Sequence, residues 1–88
     1  MKTIRVMLTD DHDLLRQGLC ALLQMEENIV VVGEANSGES LLQAIERGLQ
    51  PDVVLMDVHM RGMSGIGATR LLKQRRPQVQ VIGLTAIE

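Results

Sequence analysis

Short apolar runs alternate with segments of helical periodicity along the whole chain, and this alternation limits the fold more than any other feature. Residues 4–9 (Ile-Arg-Val-Met-Leu-Thr) have the length and β-branched content of a strand. Residues 13–25 then place Leu14, Leu15, Leu19, Leu22 and Leu23 at helical spacing. A second strand is expected over 29–34, with the unbroken run Val30-Val31-Val32. Ser37 can cap a second helix reaching 47, with Glu39 in its first turn and Gly48 at its end. After Pro51 comes a third apolar strand, 52–56. A third helix, 66–75, is ended by Pro77, and a fourth strand occupies 79–84.

Three strand–helix units followed by a strand point to an α/β fold. Continuous runs such as Val53-Val54-Leu55-Met56 suit strands of a parallel sheet with helices on both faces. Right-handed crossovers reduce the topology to a few doubly wound arrangements. In such sheets the working site lies outside the carboxyl ends of the strands, where the winding reverses. With 88 residues there is room for one small domain.

Composition excludes several classes. At 45% hydrophobic residues the chain can form a core and is too apolar for a disordered segment. It has no Phe, Tyr or Trp, so Leu, Ile, Val and Met must build that core and absorbance near 280 nm should be close to nil. A net charge of -2, without long blocks of one sign, gives no footprint for DNA or RNA. Cys20, the single cysteine, can form neither an internal disulfide nor a zinc site and is expected on an inner helix face. The first residues do not form a signal peptide, because the apolar run ends at Leu8, and no run approaches the roughly 20 residues of a membrane span. A reducing cytoplasm is the expected setting.

The strand ends carry the chemistry. The first runs into Thr9-Asp10-Asp11-His12-Asp13, the third into Asp57, and the fourth into Thr85. Three carboxylates and a hydroxyl should converge on one rim. Packed acids repel, and a hard divalent cation is the usual remedy. Mg²⁺ takes oxygen ligands, few of them from protein, and Asp10, Asp11 and Asp57 would make a suitable half-shell. Asp57, at the tip of a buried strand, could attack a phosphoryl group and carry it as an acyl phosphate. Thr85 offers a hydroxyl to the new phosphoryl oxygens. A blander reading competes: Asp10, Asp11 or Asp13 could each cap the first helix. Capping suits Asp13 and accounts poorly for two adjacent acids. His12 is expected to face solvent, His59 to lie in a loop, Met56, Met60 and Met63 to be filler, and Arg75-Arg76 to end a solvated helix.

These residues closely resemble the receiver domain of bacterial two-component response regulators. Asp10-Asp11, Asp57 and Thr85 fit its pattern, as does Val53-Val54-Leu55-Met56-Asp57-Val58-His59-Met60 followed by Gly62-Met63-Ser64-Gly65. Val32-Gly33-Glu34-Ala35 and Ala68-Thr69-Arg70 resemble the subfamily with a C-terminal helix-turn-helix output domain. The resemblance implies a flavodoxin-like sheet of order 2-1-3-4-5, here 2-1-3-4 with the fifth strand and last helices missing. It implies that residues 1–88 form a phosphoacceptor domain that is not an enzyme in its own right. A sensor histidine kinase would pass a phosphoryl group to Asp57. Asp11 and Asp57 would bind Mg²⁺ directly, Asp10 chiefly through water, and the backbone carbonyl of His59 would be a further ligand. DNA would be reached only through an output domain outside this chain.

The sequence departs from the family at Arg61, where Pro is usual, at Gly67, where Glu is frequent, and at its end. No residue can take the role of the phosphate-binding Lys of the fifth strand. The resemblance also assigns the first and fifth helices to one sheet face. The first helix alone should cover that face poorly and leave the fourth strand as an apolar edge, so self-association is expected. Two other readings stay open: an aspartyl phosphatase, which wants an acid where His59 stands, and a non-switching remnant that binds a kinase or another receiver.

Overall fold

The computed structural model describes residues 2–60, 62 and 65–84. The elements run β1 (Ile4–Thr9), α1 (Asp13–Gln24), β2 (Ile29–Ala35), α2 (Gly38–Glu46), β3 (Val53–Asp57), α3 (Gly65–Arg75) and β4 (Gln80–Leu84). All strand pairs are parallel and the sheet order is β2-β1-β3-β4. The expected alternation and winding are therefore present, with boundaries shifted by one residue at several ends. Ser37 caps α2 as anticipated, its Oγ accepting from the Ser40 amide at 3.0 Å. Gly48 follows α2 with φ 109°, a left-handed conformation that suits glycine after a helix. The ammonium of Lys73 closes α3, donating to the carbonyls of Pro77 (3.1 Å) and Val79 (2.7 Å).

The two sheet faces are covered unequally. On one face Met7, Val54 and Met56 pack with Leu41, Leu42 and Ile45 of α2 and with Ala68 and Leu72 of α3. Val6 and Leu8 alternate with Met7 and so point to the opposite face, where α1 lies over β2 and β1. None of the residues of α1 is buried, and Leu14 and Leu22 are 85% and 64% exposed. The row in register across this face fades from Leu8, 2% exposed, through half-buried Leu55 to Ile82, 52% exposed. Cys20, expected on an inner face of α1, is only half-buried. The apolar runs thus do not translate into strands enclosed on both faces: among the described residues one face has a core and the other a partial cover.

Candidate functional site

Parallel register fixes what meets at the carboxyl rim. Thr9 pairs with Met56 and Asp57 pairs with Leu84, so the residue after β1, Asp10, stands level with Asp57. Asp10 extends the β1–β2 ladder by one bond, its amide donating to the Ala35 carbonyl at 3.0 Å. Both Asp10 and Asp57 are 2% exposed. The side chain of Asp11 keeps 20% of its surface in solvent. Asp10, Asp11, His12 and Asp57 each bring one ligand atom into a group whose members all lie within 4.8 Å of one another.

Local bonds aim these groups. Asp10 Oδ1 accepts from the backbone amide of His12 at 2.7 Å, turning the chain back over the acids. Asp57 Oδ1 accepts from the backbone amide of His59 at 2.9 Å, which fixes the plane of the carboxylate. Asp57 Oδ2 is buried with no hydrogen-bond partner among the described residues. A buried charged oxygen without a donor is costly, and a cation or an electrophile at that point would relieve the cost. With this orphaned oxygen among them, the carboxylates form a donor set that fits a divalent cation.

Two residues in the site were not foreseen. His12 is the N-cap residue of α1 and makes no side-chain cap bond. Its Nδ1 instead sits 2.9 Å from Asp10, 3.3 Å from Asp11 and 3.6 Å from Asp57. The hydrogen bond to Asp10, with the charges of Asp10, Asp11 and Asp57, raises the imidazole above its ordinary pKa against a smaller opposing effect of desolvation. The expectation of a merely solvent-facing ring is corrected: the ring is 57% exposed, yet its inner nitrogen belongs to the cluster. Arg16 is the second. It donates to the Asp10 carbonyl at 2.7 Å, to Glu34 at the end of β2 at 3.1 Å, and pairs with Asp13 at 2.9 Å. It thereby ties the loop after β1 to α1 and β2. Asp13, expected to cap α1, is its first helical residue and partners Arg16 instead. The available signal was spacing: Arg16 falls one helical turn after His12 on the helix that starts at the acids.

Thr85 and Arg61 lie outside the described residues. His59 is exposed, with its amide on Asp57 as described. Gly65 allows α3 to start against the acceptor strand: a Cβ there would stand 2.3 Å from the carbonyl oxygen of Asp57. No helix among the described residues is long and apolar enough to cross a membrane.

Carboxylates gathered at the ends of the two central parallel strands, with the winding reversing between them, define a flavodoxin-like module with an acidic rim whose ligand atoms could hold a metal ion. The chain belongs to the response regulator receiver domain family, whose model matches residues 6–88. It is 47% identical over 85 residues to the response regulator GacA of Pseudomonas viridiflava, a match covering 97% of this chain and 39% of that protein. Among solved structures it resembles the signal receiver domain of the response regulator NarL from Mycobacterium tuberculosis, with TM-score 0.88, 33% identity, and coverage of 100% of this chain and 70% of that one. It also resembles the isolated receiver domain of RcsB from Salmonella enterica serovar Typhimurium, determined in the presence of the phosphomimetic BeF3-, with TM-score 0.88, 27% identity, and coverage of 99% and 64%. The chain spans about two fifths of the length of the curated relatives it matches.

Proposed function

We propose that this chain is the phosphoacceptor domain of a two-component response regulator, taking a phosphoryl group from a phosphohistidine of a sensor histidine kinase onto Asp57. The observation that carries this reading is Asp57 Oδ2, a buried carboxylate oxygen without a hydrogen-bond partner among the described residues, at the rim where Asp10 and Asp11 also meet. A resting carboxylate would satisfy that oxygen; one kept for a new bond need not. The phosphomimetic in the RcsB receiver structure supports transfer of the same chemistry to this relative.

The residues present fit Mg²⁺. Asp11, Asp57 and the carbonyl of His59 would hold it directly, and Asp10 chiefly through water. Bound there, the ion supplies positive charge that offsets the oxygens of the incoming phosphoryl group. The His59 amide holds one oxygen of Asp57 and so orients the carboxylate on which the new P–O bond forms. As that bond forms, the P–N bond to the donor imidazole breaks and its electron pair returns to the nitrogen. Thr85 would bond the phosphoryl oxygens and carry the event toward the neighbouring surface. His59 stands two positions after Asp57, where an aspartyl phosphatase would carry its second acid, which favours phosphoryl acceptance over ester hydrolysis. Residues 1–88 are the receiver part in this reading, and transcriptional output belongs to the region of the relatives outside the matched span.

Incubation with acetyl phosphate and Mg²⁺ tests the proposal. The expected product carries one phosphoryl group on Asp57, and Asp57→Asn abolishes it without loss of the fold. Labelling that survives Asp57→Asn would assign the acceptor elsewhere.

A further inference from the structure

The carboxylate site contains a nitrogen. His12 Nδ1 lies 2.9, 3.3 and 3.6 Å from single oxygens of Asp10, Asp11 and Asp57. Around an ion with bonds near 2.1 Å, adjacent ligands are about 3.0 Å apart in an octahedron and about 3.4 Å apart in a tetrahedron. The spacings from Nδ1 to Asp11 and Asp57 lie close to the tetrahedral value, so the nitrogen stands where a small closure of the cluster would make it a further ligand of the same ion. Asp57 Oδ2, 3.6 Å from that nitrogen, is itself buried and lacks a hydrogen-bond partner among the described residues, so the shell has an aimed oxygen as well as a nitrogen. The His12 ring is more than half exposed and reaches this position without rearranging the core.

We propose that His12 is a metal ligand through Nδ1, and that it gives this site a preference for borderline first-row transition ions such as Co²⁺, Ni²⁺ or Zn²⁺ over Mg²⁺. The inference rests on the cation site proposed above and deepens it. An oxygen-only shell suits a hard cation, whereas imidazole suits Zn²⁺ and Ni²⁺ and adds little for Mg²⁺. The hydrogen bond to Asp10 and the bond to a metal are alternative uses of one nitrogen. When the ion binds, a proton on Nδ1 leaves to solvent, and the exposed Nε2 keeps its own.

Removing His12 also removes a cationic competitor for the acids. That effect acts alike on every divalent ion, so the decisive quantity is the ratio of two affinities. Isothermal titration of the folded chain with Mg²⁺ alone and with Co²⁺ alone, for the native sequence and for His12→Ala and His12→Gln, measures it. The Co²⁺ over Mg²⁺ preference should fall at least about tenfold in both variants, the scale expected when a group that supports a metal is lost. The ¹⁵N resonance of His12 Nδ1 should shift on addition of Zn²⁺, and that of His59 should not. A preference that survives both variants, or a Zn²⁺ shift on His59 in place of His12, would overturn the proposal while leaving an oxygen-ligated Mg²⁺ site standing. If Mg²⁺ leaves the amides of Asp10, Asp11 and Asp57 unmoved, the underlying cation site itself fails.

Discussion

Gly65→Ala should damage this domain out of proportion to one methyl group. The added Cβ would stand 2.3 Å from the carbonyl oxygen of Asp57, 2.8 Å from Val58 Cα and 3.0 Å from Asp57 C. Ordinary close C···O contacts begin at roughly 3.3 Å, so about 1 Å of overlap must be relieved. All the obstructing atoms are backbone, on the strand end that carries the acceptor, so no flexible side chain can absorb the shift. Overpacking typically costs about 1–3 kcal/mol, and backbone obstruction places this case at about 3 kcal/mol or more. A domain of this size holds roughly 4–13 kcal/mol in total. The unfolding midpoint should then fall by about 12–24 °C, and phosphorylation of the surviving folded fraction should slow because the Asp57 carboxylate is displaced with its carbonyl. Gly18 is the matched control, since a Cβ there meets nothing within 4 Å; Gly18→Ala in mid-helix should stabilise by about 0.5–1 kcal/mol. Thermal and urea unfolding followed by circular dichroism, with acetyl phosphate labelling, measure both. A Gly65→Ala protein that loses less than about 1 kcal/mol and labels at the native rate would refute the close-approach argument.

Other perturbations test other parts of the structure. Arg16→Ala should cost about 2 kcal/mol in urea unfolding, dominated by the part-buried bond to the Asp10 carbonyl because the two carboxylate partners are exposed and their pairs are weak. Arg16→Lys should not restore it, since one ammonium cannot span three acceptors as a guanidinium does. In the metal-free protein the NMR titration midpoint of His12 should lie above its ordinary 6.5, so its contribution to stability is complete below that pH and is lost as pH rises through the higher folded value. A midpoint at or below 6.5 would remove His12 from the cluster. Asp52 works in the opposite sense: the backbone amide and then the side chain of Arg5 lower its pKa, so its contribution is present above 3.8 and lost as pH falls through the lower folded value; Asp52→Asn should flatten that acid limb. The 88-residue polypeptide produced alone should self-associate at micromolar concentration through the partly covered face and the β4 edge, and a sharp monomer boundary in sedimentation, read by interference because the chain lacks aromatic residues, would contradict this.

What the sequence made legible follows from where its signals are strong. A doubly wound parallel sheet and the meeting of Asp10, Asp11 and Asp57 at one rim were readable because chain alternation constrains the topology to a few arrangements, whereas the order 2-1-3-4 came only with the resemblance to receiver domains. Periodicity does not report coverage. The leucines of α1 have the spacing of an inward face, yet none is buried, and on the sheet the row from Leu55 to Ile82 loses its cover beyond α1. Nor does spacing report the direction of a side chain in a turn. His12 looks like a solvent residue in sequence because it lacks a second His or Cys nearby. It becomes part of the site because Asp10 Oδ1 engages both its amide and its ring Nδ1, a double contact that no spacing reports. The same limit hid Gly65: a glycine opening a helix looks permissive in sequence, and only the 2.3 Å approach to the Asp57 carbonyl shows that it is required. The carboxylates were therefore found from the chain, while the residues that aim them depend on contacts between segments that neither segment encodes alone.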